Sequence, residues 1–291
     1  MELAVTEYHQ DTCERLVIAE QDKFLQDYKS HSIPGESKPQ EIGMPFLLRQ
    51  AQPSPGILLV HGLMAAPEEV AQWADHLFKQ GYTVYAVRLM GHGTSPHDLE
   101  TKSHYQWQQS VRQGGKILTC CSTSMIIAGF STGAALALNQ AIQNPTAFRA
   151  VISISAPLKL ASFSANFVEP LNKWNQLMKR FSLNCFTKRF ATNHPDNPHI
   201  NYKLCPINSL VEIKLLMKKV VTGLPTLNLP ILVIHGNKDP KVDISSSKTI
   251  FKTVGSSKKH FKEINFHQHG IVRGEISQEV FKEMDEFLKA I

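Results

Sequence analysis

Between Gly56 and Ser155 the chain alternates short, wholly apolar runs with stretches in which apolar residues return every third or fourth position. Gly56-Ile-Leu-Leu-Val60 is continuously apolar and runs into His61-Gly62, as a strand buried on both faces of a parallel sheet does. Pro67-Glu-Glu-Val70 then opens a helix that repeats Val70, Trp73, Ala74, Leu77 and Phe78 at helical spacing and stops at Gly81. The same rhythm makes Tyr82–Leu89 a strand, Ser103–Leu118 a helix, Met125–Phe130 a strand, Thr132–Gln143 a helix and Ala150–Ser155 a strand. Such alternation predicts an α/β fold, a doubly wound and mostly parallel sheet.

The rhythm breaks at Pro157 and resumes at Leu229-Pro-Ile-Leu-Val-Ile-His235, followed by a helix (Ile244–Val254), a strand (Phe261–Phe266) and a closing helix (Ser277–Leu288). The stretch between is far longer than an ordinary connection, so it needs structure of its own. At the other end, Leu16, Val17, Phe24 and Tyr28 share one helical face within residues 12–29, ahead of a Pro/Gly/Ser loop and the extended piece Pro45–Arg49. The expected organisation is an N-terminal extension over 1–50, a core over 51–157 and 229–291, and an insertion over 158–228.

Gly129-Phe-Ser-Thr-Gly133 matches the G-x-S-x-G turn in the context that gives it meaning, an apolar strand entering and a helix leaving. A sharp strand-to-helix turn strains the residue at its apex and needs small neighbours, which would lift Ser131 clear of the sheet edge. A serine hydroxyl is a weak nucleophile and requires a base and a carboxylate that orients it. Ile231–His235 leads into Gly236-Asn-Lys-Asp239, placing Asp239 at a carboxyl strand end, with Asp243 as the rival further along. After the Phe261–Phe266 strand come His267 and His269, of which His269, before Gly270, suits a loop carrying an imidazole back over the sheet. An H-x-H pair could suggest a metal, but no third ligand is recognisable, and no metal or organic cofactor is expected. Oxyanion donors are expected from the backbone of Thr132 and of Leu63, with Met64 in reserve. His92, in Gly91-His-Gly-Thr-Ser-Pro96, is expected to fix backbone beside the site rather than act as a second base.

Together, His61-Gly-Leu-Met-Ala-Ala-Pro-Glu-Glu69, Gly81 through Gly91-His-Gly-Thr-Ser-Pro96, Gly-Phe-Ser-Thr-Gly133, His235-Gly-Asn-Lys-Asp239 and His269-Gly270 resemble the α/β-hydrolase superfamily. Within it the chain is most similar to the bacterial carboxylesterase, monoacylglycerol lipase and lysophospholipase group. The resemblance implies an α/β-hydrolase fold with a helical lid over 158–228. It further implies a Ser131–Asp239–His269 triad, Leu63 and Thr132 as oxyanion hole, and two-step hydrolysis of a small-molecule acyl ester. Leu63 stands where many relatives carry an aromatic residue, and the first fifty residues lie outside the resemblance. A peptidase, amidase or thioesterase on the same scaffold is the enzymatic alternative, and a ligand-binding homologue without catalysis is the alternative of another class.

The chain carries a formal charge of +6, and residues 158–228 hold ten basic and three acidic residues, which leaves the remainder at −1. Phe163, Phe167, Trp174, Phe181 and Phe186 are interleaved with those charges. A basic, aromatic segment suits peripheral contact with an anionic membrane. The alternatives are a lysine-rich lid whose apolar residues line an acyl pocket and, third, a dock for an acidic acyl carrier. Nucleic acid is not indicated, since the charge sits in one mixed segment without a binding motif. Five cysteines without C-x-x-C spacing argue against a disulfide framework or zinc site. The absence of a signal-like N-terminus or a spanning apolar run makes a cytoplasmic location the expectation.

Overall fold

The computed structural model describes residues 2–159 and 189–291, and only the backbone of residues 2–11. Residues 160–188 of the expected lid, with the aromatic residues from Phe163 to Phe186, lie outside the described residues.

A seven-stranded sheet organises the chain. Its strands are β1 (Phe46–Leu48), β2 (Gly56–Val60), β3 (Thr83–Val87), β4 (Met125–Phe130), β5 (Ala150–Ile154), β8 (Ile231–Gly236) and β9 (Lys259–Ile264). They lie in the order β1-β3-β2-β4-β5-β8-β9, and only the edge strand β1 runs antiparallel to its neighbour. Strands β2, β3, β5 and β8 are buried along their whole length, as coverage of both sheet faces by helices requires. Leu58 and Val60 point into one layer, and Ile57 and Leu59, one residue out of phase, into the other.

The first layer receives α1 (Glu2–His31), α5 (His104–Thr119), α6 (Thr132–Gln143) and α8 (Ser245–Thr253). The second receives α3 (Ala71–Lys79) and α9 (Ser277–Lys289), which bury Trp73, Leu77, Phe281 and Met284. Pro67–Val70 forms a 3₁₀ turn before α3, where the sequence pattern predicts continuous helix. Two short helices, α2 (Gln40–Gly43) and α4 (Pro96–Glu100), lie in the loops before β1 and after β3.

Downstream of the undescribed stretch, β6 (Phe190–Thr192) pairs antiparallel with β7 (Leu204–Pro206). The following helix α7 (Ile207–Gly223) packs on α6 and buries Ile213, Leu216 and Val220 against the first layer. Glu212 of α7 accepts from the His104 backbone N–H at 2.9 Å and lies 2.6 Å from His104 Nδ1, which ties α7 to the start of α5.

The N-terminal helix is a working part of the core. Cys13 and Phe24 are fully buried, and Asp27 pairs with the buried Arg88 at the end of β3. The Phe24 ring lies where a Cβ on Gly43 would fall, 2.4 Å from Cζ, and Gly43 in turn crowds Gly93. Burial of such a ring contributes about 1.5–3 kcal/mol, and here it fastens the extension to the Gly91–Gly93 loop beside the site. Among the described residues, no helix is long and apolar enough to cross a membrane.

Candidate active site

Every element of the site stands at the carboxyl edge of the parallel strands, where loops from neighbouring strands converge. β4 ends at Phe130, α6 starts at Thr132, and Ser131 between them is held at φ 56°, ψ −124°. A positive φ in a non-glycine residue is strained, and the neighbouring backbone enforces it. The Ser131 N–H donates to Ile154 O on the adjacent strand at 2.8 Å. A Cβ on Gly133 would lie 2.1 Å from Val60 O, and one on Gly129 would lie 2.3 Å from Gly133 O, so both flanking glycines are required by contact.

Ser131, Asp239 and His269 form one hydrogen-bonded row. His269 Nε2 lies 2.8 Å from Ser131 Oγ, and His269 Nδ1 lies 2.6 Å from Asp239 Oδ2. An ionised carboxylate only accepts, so Nδ1 carries the proton and Nε2 is free to accept from the serine hydroxyl. The other carboxylate oxygen, Oδ1, accepts the backbone N–H groups of Lys241 and Val242 at 2.8 and 3.0 Å. Burial alone would raise the Asp239 pKa; hydrogen bonds from His235 and His269 outweigh it and hold the carboxyl below its usual range.

The competing candidates lie elsewhere. Asp243 accepts from the Ser245 N–H at 2.8 Å, at the start of α8. His267 is exposed, its ring beside Phe266. His92 is fully buried, with Nδ1 3.3 Å from Met90 O and its ring against His61 and Trp107.

The loop after β2 passes directly over the serine: a Cβ on Gly62 would lie 3.3 Å from Ser131 Cβ. Among the described residues, no acceptor meets the backbone N–H of Leu63 or of Thr132. His61 Nε2 accepts from the Leu89 N–H at 3.3 Å, so its Nδ1 donates to Gly62 O at 2.8 Å, and burial lowers its pKa to about 4. Met64, next in the loop, is held at φ 61°.

Two carboxylates that sequence reasoning did not single out hold these loops. The buried Glu69 accepts the Gly62 N–H at 2.7 Å, and burial pushes its pKa up. Asp196 accepts the backbone N–H groups of His269 and Gly270 at 3.1 and 3.0 Å. Pro67-Glu-Glu-Val70 reads only as an acidic helix start, and Asp196 only as a loop acid; Glu69 meets an N–H seven residues back in its own loop and Asp196 meets N–H groups 73 and 74 residues away, and neither spacing is a recognisable signal. His235 was legible only as a strand end, yet it lies 2.6 Å from Ser247 Oγ, 3.1 Å from Val242 O and 3.5 Å from Asp239 Oδ2.

Comparison with known proteins agrees with this architecture. The chain is 27% identical over 216 residues to a thermostable monoacylglycerol lipase of Bacillus sp. (strain H-257), covering 74% of this chain and 82% of that protein. It is 23% identical over 239 residues to a carboxylesterase of Bacillus subtilis (strain 168), covering 81% and 92%. Among solved structures, a chain of the metagenome-derived lipolytic enzymes LipS and LipT superposes with TM-score 0.75 at 19% identity, covering 89% of this chain and all of that one. A soluble variant of the Saccharomyces cerevisiae monoglyceride lipase superposes with TM-score 0.69 at 16% identity, covering 84% and 90%. The model of the serine aminopeptidase S33 family, Hydrolase_4, matches residues 51–276, and the chain belongs to this family of α/β-hydrolase enzymes.

Proposed function

We propose that Ser131, Asp239 and His269 are the catalytic residues with which this enzyme hydrolyses carboxylic esters through an acyl-enzyme. The observation that carries the assignment is the unbroken row from Asp239 Oδ2 through the imidazole to Ser131 Oγ, at 2.6 and 2.8 Å. His269 takes the hydroxyl proton as Ser131 attacks the ester carbonyl, and Asp239 holds the imidazole in the required tautomer and stabilises its cation. The N–H groups of Leu63 and Thr132 stabilise the oxyanion, a reading supported by their lack of any other acceptor among the described residues. The protonated imidazole then gives its proton to the leaving alcohol, and water, activated by the same base, releases the acid.

A small acyl ester as substrate is supported by the relatives' names, the monoacylglycerol lipase and the carboxylesterase. The family description, serine aminopeptidase, favours amide cleavage as the second reading. Fluorophosphonate labelling of the wild type and of Ser131→Ala, with turnover of p-nitrophenyl esters and of amino-acyl anilides, tests both. The expected result is labelling and ester turnover in the wild type, both abolished in Ser131→Ala with its fold intact. Wild-type turnover in Ser131→Ala overturns the assignment, and faster anilide than ester cleavage replaces the esterase reading with the peptidase. The charge of residues 158–228 supports presentation of the ester at an anionic surface. Running the ester assay on neutral and anionic vesicles at low and high salt tests this, and equal rates throughout count against it.

A further inference from the structure

Residues 193–203 cross the carboxyl edge of the sheet between β6 and β7 and bond to loops on both sides of Ser131. The crossing segment is braced internally: Asn197 O accepts the Ile200 and Asn201 N–H groups at 3.0 and 2.9 Å, and the Asn193 side-chain amide donates to Tyr202 O at 2.8 Å. On one side, the Tyr202 N–H donates to Met64 O at 2.9 Å, the Tyr202 hydroxyl donates to Gly91 O at 3.2 Å, and Ile200 is buried with Ala65 and Ala66. The other side is held by Asp196, whose Oδ2 accepts the His269 and Gly270 N–H groups at 3.1 and 3.0 Å.

The loop that carries His269 has neither strand nor helix between Ile264 and Ser277, so attachments to other loops determine where the imidazole stands. Two adjacent backbone N–H groups converging on one carboxylate oxygen make a charge-assisted clamp, stronger than bonds between neutral groups. The clamp does not depend on the glycine: a Cβ on Gly270 would make only ordinary contact, 3.5 Å from the same Asp196 oxygen and 3.4 Å from Asn197 Nδ2. Among the described residues, the cation paired with Asp196 is Lys241, whose Nζ stands 4.0 Å away, outside hydrogen-bond range.

We propose that Asp196 is a positioning residue for hydrolysis: by gripping the His269–Gly270 backbone it sets the imidazole at hydrogen-bond distance from Ser131. This rests on His269 being the general base. Asp196 does not touch the reacting atoms, so its removal leaves the parts of the machinery present but misaligned. A displacement of about 1 Å in such a base can cost about a hundredfold in rate.

The test compares Asp196→Ala, Asp196→Leu and Asp196→Asn with the wild type by fluorophosphonate labelling rate, by kcat and KM on a p-nitrophenyl ester, and by thermal melting. Alanine and leucine remove the acceptor and are expected to lower kcat and labelling rate by about tenfold to a hundredfold, with KM changed less than threefold. Asparagine keeps one carbonyl oxygen able to accept both N–H groups, so it is expected to stay within about threefold of the wild type. Hydrogen exchange in a peptide spanning 267–272 is expected to speed up in the alanine and leucine variants alone. Wild-type kcat in the alanine and leucine variants, or an asparagine variant as slow as they are, overturns the proposal. If the wild type itself resists labelling, the serine hydrolase assignment has failed instead.

Discussion

Burial of Asp239 would by itself raise the pKa of its carboxyl, and its partners reverse that shift. With His235 and His269 against one oxygen and two backbone N–H groups on the other, the anion is the favoured form. Asp239→Asn keeps the shape but removes the obligatory acceptor for Nδ1–H, so the imidazole can adopt the tautomer that cannot take the serine proton. The expected outcome is a fall in kcat of about three to four powers of ten with KM and melting temperature nearly unchanged, measured on a p-nitrophenyl ester. Retention of more than a tenth of the wild-type kcat would remove Asp239 from the proposed role. The row of Ser131, Asp239 and His269 was legible in the sequence because each stands in a turn after an expected strand, with glycine or proline within two residues. Glu69 and Asp196 were not: their roles depend on which N–H the folded loops bring to them, and a lone acid in a loop does not encode that.

The turn from β4 through Ser131 into α6 is dictated by backbone contact more than by side-chain choice. A methyl group on Gly133 has no room beside Val60 O and His61 O, so Gly133→Ala must push β2 away or unwind the start of α6. We expect it to abolish soluble folded protein or lower the melting temperature sharply, with labelling lost. Gly115→Ala, on α5 with open space around it, is the matched control and is expected to be neutral or to stabilise by up to about 1 kcal/mol, read by urea denaturation. The core strands and helices were readable from period and punctuation, with ends displaced by only a few residues. Two elements departed for physical reasons. The N-terminal helix extends over Glu2–His31, beyond the 12–29 of the apolar pattern, since backbone hydrogen bonding needs no apolar stripe to continue a helix. Pro67–Val70 winds as 3₁₀, a tighter turn frequent at helix starts.

Across the whole molecule, acid sensitivity is built into the histidines that the fold keeps neutral. His61 is held at about 4 and His92 well below its ordinary value, in both cases chiefly by burial. Because the folded values lie below the unfolded ones, the stability they contribute is complete above pH of about 6.5 and declines as the pH falls toward 4. Each contributes a slope of at most about 1.4 kcal/mol per pH unit, so the urea midpoint is expected to drop clearly between pH 7.5 and pH 5. A midpoint constant over that range would contradict this. The row that joins Ser131 to His269 closes 138 residues of chain and the one that joins His269 to Asp239 closes 30. Contacts of such sequence separation form only when most of the native topology is in place. The rate at which a refolding sample regains the capacity to be labelled by a fluorophosphonate therefore times the completion of the sheet, and it is expected to lag behind the return of helical circular dichroism.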